Sequence, residues 1–160
     1  MVKVLLDCDP GHDDALALLY AARRCDLVAV TTVFGNQSVD WTTRNALSLL
    51  TLAGLDVPVA RGVGGPLLGS AIDGGSVHGR TGLDGAELPE PDRDVEPIHA
   101  VEMIARMARE HRGALHVATT GAMTNLALAF RTEPRLGDWI AGSTVMGGTT
   151  GIGNTTPVAE

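Results

Sequence analysis

Basic residues are scarce in this sequence, and so are cysteines, aromatic side chains and long apolar runs. Lysine and arginine number 12 against 19 aspartates and glutamates, for a formal net charge of −7. With no basic stripe to release counterions, this balance argues against a nucleic-acid partner. The two cysteines, Cys8 and Cys25, lack metal-type spacing, so a reduced, cytoplasmic setting is the expectation. Cys8 has no base arranged beside it in sequence and reads as a small buried filler. No apolar run approaches the ~20 residues of a membrane span. Val4-Leu5-Leu6 meets Asp7 too soon to be the apolar region of a secretory signal. Aromatic residues make up only 3% of a chain that is 44% hydrophobic and carries 20 glycines. That mixture suits a glycine-turned α/β protein better than an all-β sandwich.

What is present alternates regularly. Val2–Leu6 reads as a buried strand and Asp13–Arg23 as a helix whose acidic first turn suits the helix dipole. Leu27–Val33 is a β-branched second strand, Val39–Ala53 a helix closed by Gly54, and Val57–Val59 a short third strand. Residues 61–93 are rich in Gly, Pro and Asp and read as a long excursion, a length that in a compact domain is functional or partly helical. Glu96–His111 is predicted helical, Leu115–Thr119 a strand, Ala122–Arg131 a helix and Ser143–Met146 a last strand. The expectation is one α/β domain over residues 1–160, with a mostly parallel, Rossmann-like sheet flanked by helices. Ligands of such sheets bind beyond the carboxyl ends of the strands. There lie the segment after the first strand, Gly35-Asn36, Thr119-Thr120-Gly121 and Met146-Gly147-Gly148.

The segment after the first strand is DCDPGHDD, four aspartates in eight positions (Asp7, Asp9, Asp13, Asp14). An acidic helix start explains Asp13 and Asp14 but leaves Asp7 and Asp9 without a reason. A hard divalent cation explains more, because magnesium and calcium gather several carboxylate and carbonyl oxygens at one point. Pro10 holds Asp9 extended, Gly11 permits a tight turn, and the helix start folds the carboxylates toward one place. Asp7-Cys8-Asp9 also fits the Asp-x-Asp of haloacid-dehalogenase-type phosphatases. Those need a downstream lysine to clamp phosphate, and the sole lysine here is Lys3, on the first strand itself.

DCDPGHDDALAL resembles instead the amino-terminal signature of the inosine–uridine-preferring nucleoside hydrolases, Asp-x-Asp-Pro-Gly-x-Asp-Asp-Ala. VTTVFGNQ at 30–37, VHG at 77–79, TGAMTNLALA at 120–129 and VMGGTTGIGNTTPVAE at 145–160 resemble the family in the same order. The resemblance implies an N-glycosidase that splits ribonucleosides into base and ribose with a bound calcium ion, a role in purine and pyrimidine salvage. By resemblance Asp9, Asp14 and the Thr120 carbonyl ligate calcium, and Asp9 is also the general base toward a calcium-bound water. Asp13 and Asn36 would hold ribose hydroxyls, with Asn154 and Glu160 on the far side of the sugar. Carboxylates around the ring suit an oxocarbenium-like transition state. Asp7 is expected to orient the metal loop through hydrogen bonds.

His78 is placed by resemblance near the nucleobase, the other reading being a surface histidine beside Gly79. Met146 lines the sugar pocket or is plain core. His12 occupies the variable position of the signature and reads as incidental. His99, His111 and His116 read as structural, and Trp41 and Trp139 as packing. The family's pattern continues past Glu160 to a late histidine and aspartate, so the resemblance implies an amino-terminal half and a calcium shell one carboxylate short. Truncation, completion by a complementing carboxy-terminal chain, a homo-oligomer and a degenerate relative that binds calcium and ribonucleoside without turnover all stay open. Base preference is not readable.

Overall fold

The computed structural model describes residues 1–70, 75–148 and 150–151. Five parallel strands form its sheet: β1 (Lys3–Cys8), β2 (Asp26–Thr32), β3 (Val59–Arg61), β4 (Leu115–Thr119) and β5 (Gly142–Val145), in the order β3-β2-β1-β4-β5. Helices α1 (His12–Arg24), α2 (Val39–Ala53), α3 (Gly75–His78), α4 (Ala100–Glu110), α5 (Thr124–Thr132) and α6 (Leu136–Trp139) connect them.

Alternation along β1 splits the core in two, because successive side chains of a strand point to opposite faces. Leu5 joins Met103, Ile104, Leu115, Val117 and Leu126 under α4, α5 and α6. Leu6 and Cys8 join Leu18, Val30, Leu47 and Leu50 under α1 and α2. Burying each such leucine or isoleucine is worth roughly 1.5–3 kcal/mol, and both faces of the central strands are covered. β1 therefore reads as a continuous apolar run rather than an alternating one. Asp7 shares the Leu5 face, and that parity aims its carboxylate toward α5.

The expected alternation is present, with shifted boundaries. β1 runs two residues past Leu6, because Asp7 pairs with Thr31 and Thr119, and Cys8 with Thr32. Cys8 is fully buried, and burial pushes its thiol pKa well up, as a filler requires. Gly54 ends α2 as expected, with Leu55 N–H on Leu50 O and Gly54 N–H on Thr51 O. β3 falls later than Val57–Val59, since Pro58 has no N–H for the ladder, although its carbonyl accepts from Val30 N–H at 2.9 Å. α4 starts at Ala100 rather than Glu96. Pro97 disfavours helical geometry at Glu96, whose N–H bonds Val59 O at 2.8 Å, and His99 caps the helix by accepting from Val101 N–H at 3.2 Å. α6 has no counterpart in the expected elements, and β5 begins one residue earlier than expected. Trp139 is buried, as packing predicts, whereas Trp41 is 38% exposed and packs only in part. No described helix is long and apolar enough to cross a membrane.

Candidate active site

β2 and β3 lie on one side of β1, β4 and β5 on the other, so the chain reverses its winding between β1 and β4. Crevices open at such a point, just beyond the carboxyl ends of the two strands. Asp7 and Asp9 come from the end of β1, Asn36 from the loop after β2, and Thr120-Gly121 from the loop after β4. Asp14 arrives on the first turn of α1.

Asp7 is fully buried, and one of its oxygens, Oδ1, accepts from Thr31 Oγ1 at 2.7 Å and from Asn125 Nδ2 at 2.9 Å. The other, Oδ2, has no hydrogen-bond partner among the described residues, and neither has Thr120 Oγ1. Burial pushes the Asp7 pKa up to about 7, against the pull of its two donors and with a push from the Asp14 charge. Its backbone carbonyl accepts from Thr120 N–H at 2.9 Å, so Asp7 ties β1 to the loop after β4 as well as to β2 and α5.

Asp9 is 6% exposed. Asn36 grips it twice: its backbone N–H donates to Asp9 Oδ2 at 2.7 Å and its Nδ2 to Asp9 O at 2.9 Å. Asp14, 2% exposed, accepts from Asp9 N–H at 3.3 Å. Burial and the adjoining Asp14 carboxyl hold the Asp9 pKa well above the carboxylate range, with the Asn36 N–H opposing. Two loops close on this one side chain. A Cβ on Gly35 (φ +155°) would lie 2.0 Å from Asp9 Oδ2, and one on Gly121 2.7 Å from Oδ1. Neither position has room for a side chain.

The donor chemistry can be tested against a hard cation. Two buried carboxylates in contact, a buried Asp7 oxygen and a Thr120 hydroxyl without partners all want positive charge or protons, and all are oxygens. Among the described residues no three His, Cys, Asp or Glu side chains form a ready cage. A cation here would take Asp9 and Asp14 and fill its shell from carbonyls, hydroxyls and water. The residues fit such an ion in kind while leaving its shell partly open.

The remaining expected residues fall around this centre unevenly. Asp13 is exposed on the first turn of α1, and Asn36 is half-buried. His78 reaches the rim from the long excursion, its Nδ1 3.4 Å from His12 N. Met146 is 46% exposed, so it is not core, and its N–H bonds Thr119 O at the end of β4 at 2.8 Å. Asn154 and Glu160 lie outside the described residues. His116 meets Thr144 Oγ1 at 2.8 Å, and His99 is a helix cap, both structural as expected. A cleft on α1, lined by Leu16, Tyr20 and Arg23, is apolar and gathers no carboxylates.

Three participants escaped the sequence reading. Asn125 is fully buried, donates to Asp7 Oδ1 and to Thr32 O, and accepts from Val63 N–H, tying three loops together. Its one signal was a polar amide in the first turn of an apolar helix. Asn45 donates to Pro10 O and Thr81 O, pinning the excursion to the opening loop. His12 is engaged rather than incidental, its ring stacked on His78.

Fold and rim together define a doubly wound, parallel α/β protein with a buried carboxylate pair at its topological switch point. The chain belongs to the inosine-uridine preferring nucleoside hydrolase family, whose sequence model matches residues 4–160. It is 47% identical over 160 residues to a pyrimidine-specific ribonucleoside hydrolase RihA of Shewanella oneidensis, covering 98% of this chain and 50% of that protein. A RihA of Photobacterium profundum is 46% identical, with 98% and 52% covered. A plant nucleoside hydrolase structure superposes with a TM-score of 0.90 at 33% identity, covering 99% of this chain and 52% of that one. A purine-preferring ribonucleoside hydrolase of Gardnerella vaginalis gives 0.88 at 29%, with 97% and 52% covered. The chain thus spans about half the length of the curated relatives it matches.

Proposed function

We propose that the rim hydrolyses the N-glycosidic bond of ribonucleosides, with Asp9 as general base. The observation that carries this reading is Asp9 itself: a buried carboxylate of raised proton affinity, aimed by two Asn36 contacts and pressed against a second carboxylate. In its ionised form, which a cation held between it and Asp14 would favour, such a carboxylate can take a proton from water. Water adds to the anomeric carbon as the bond from that carbon to the base nitrogen breaks, the electron pair leaves on the base, which takes up a proton from solvent, and Asp9 receives the proton that the water gives up. The sugar carries positive charge as the bond lengthens, and the surrounding carboxylates stabilise it where it forms.

Calcium is the ion we assign to Asp9, Asp14 and the Thr120 carbonyl, and when bound it would supply Lewis acidity to the water and anchorage to the sugar. Asp13 and Asn36 take ribose hydroxyls in this reading, Met146 borders the sugar, His78 meets the nucleobase, and Asn154 and Glu160 reach the sugar from the far side. The RihA relatives are named pyrimidine-specific, so uridine and cytidine are the first substrates to try. Because the chain spans half of those relatives, a second reading is a half-site that binds calcium and ribonucleoside and turns over only with a complementing chain or in a homo-oligomer.

The test is ribose release by the purified chain from uridine, cytidine, inosine and adenosine, with calcium and with a chelator. Calcium-dependent release abolished by Asp9→Asn is the expected result. Release indifferent to both would overturn the mechanism. Calcium-dependent nucleoside binding without release would select the half-site reading.

A further inference from the structure

One buried amide joins the two sides of the rim. Asn45 on α2 is 4% exposed, and its Nδ2 donates to Pro10 O at 3.0 Å and to Thr81 O at 2.8 Å. Carbonyls only accept, so both amide hydrogens are spent. One goes to the loop that carries Asp9, the other to the excursion that carries His78. The contact is close. A Cβ on Gly82, whose φ of +85° already favours glycine, would lie 3.2 Å from Asn45 Nδ2 and 3.3 Å from Pro10 O.

Between His78 and Asp84 the excursion is a closed turn. The Asp84 carboxylate accepts from Arg80 N–H, Thr81 N–H and Thr81 Oγ1–H, and Asp84 N–H reaches His78 O at 3.4 Å. Two side-chain amides attach this turn to the rim: Asn45 at Thr81, and Gln37, the neighbour of Asn36, whose Nε2 donates to Gly79 O at 3.0 Å. The Asp9 side has holds of its own in the two Asn36 contacts, the Asp14 carboxylate and the close backs of Gly35 and Gly121. Removing the Asn45 hydrogens therefore loosens His78 more than Asp9.

We propose that Asn45 is a positioning residue, assisted by Gln37: it sets the His78 turn against the Asp9 loop, so that the site meets the nucleobase at a fixed distance from the sugar. The inference rests on the reading of the rim as a ribonucleoside site with His78 at the base. A turn held in place before the ligand arrives removes an ordering cost from binding. Only ligands that carry a base gain from it.

Calorimetric titration of the purified chain, with calcium present, tests it with two probes. One is D-ribose; the other is the C-nucleoside pseudouridine, whose carbon–carbon glycosidic bond resists hydrolysis. Asn45→Asp keeps the shape and loses both hydrogens, and it should weaken pseudouridine roughly tenfold while leaving ribose within about twofold. Gln37→Met, at a half-buried position, frees Gly79 alone and should weaken pseudouridine roughly threefold, again without effect on ribose. It carries the test by itself should Asn45→Asp not fold. Neither variant should lose anything further in a His78→Ala background, where no base contact is left to position. Equal losses for pseudouridine and ribose, or losses undiminished in His78→Ala, would overturn the proposal alone. If the wild type neither binds pseudouridine nor releases ribose from any ribonucleoside, the parent reading falls and this one with it.

Discussion

The two ends of the sheet each gather like charges, and they handle them differently. At the amino end, where β4 and β5 begin, the guanidiniums of Arg109, Arg112 and Arg135 lie 5.4, 4.6 and 5.0 Å from the centroid of the Trp139 ring. Their heads stay in water, the ring face attracts them, and Glu133 pairs with Arg109 and Arg135. At the carboxyl end Asp7, Asp9 and Asp14 are buried, and no cationic side chain contacts them among the described residues. The same contrast holds for one residue type. Asp26, at the start of β2, is half-exposed beside Lys3 at 2.6 Å, and that hydrogen bond lowers its pKa, whereas burial drives Asp7 up to about 7. Clustered charge in water costs little. Clustered charge out of water persists only where something positive is to be received, and that is the argument for placing the chemistry at the carboxyl end.

The largest break in this comparison should come from Asp9→Asn. It removes the base while keeping the shape, and ribose release should fall roughly 10²–10⁴-fold with folding intact. Calcium should act at the carboxyl end alone. At about a hundred times its dissociation constant it should stabilise the chain by ~2.7 kcal/mol in thermal melts, and Asp14→Asn should abolish the gain while Arg112→Ala leaves it whole. Asn125→Ala should lower the unfolding free energy measured in urea by about 1–3 kcal/mol, because it strips a donor from buried Asp7 and releases the end of β2 and the loop after β3. At the amino end, Arg112→Ala should cost no more than ~0.5–1 kcal/mol and leave ribose release unchanged.

The smallest effect is one of pH. Asp26 has a lowered folded pKa, so its pairing with Lys3 stabilises the chain above the ordinary value of 3.8 and is lost as pH falls through the lower folded value. Lys3→Met should raise the Asp26 midpoint toward 3.8 in an NMR titration and flatten stability over that acid range. An unchanged midpoint would remove Asp26 from the comparison.

Much of the fold was legible because its signals are local. β-branched runs made strands, Gly54 closed a helix, and Asp-Pro-Gly forced the turn after β1. Boundaries failed where a neighbour decides them. β1 reaches Cys8 because Thr31 and Thr32 lie beside it, and α4 waits for Ala100 because Pro97 and the Val59 carbonyl hold Glu96 extended. Met146 could be pocket or core on sequence alone, and its exposure removes the core reading.

The sequence by itself determined the alternating parallel architecture and the run of oxygen-bearing side chains that the candidate site gathers beyond the strand ends, since periodicity and residue type act within a few neighbours. Only the tertiary structure decided which aspartate loses its water, which oxygen is left without a donor, and which partners converge. Asn125 reaches Asp7 across 118 residues and His78 reaches His12 across 66. Desolvation and hydrogen bonding depend on the groups a parallel crossover brings near, and no local pattern carries that information.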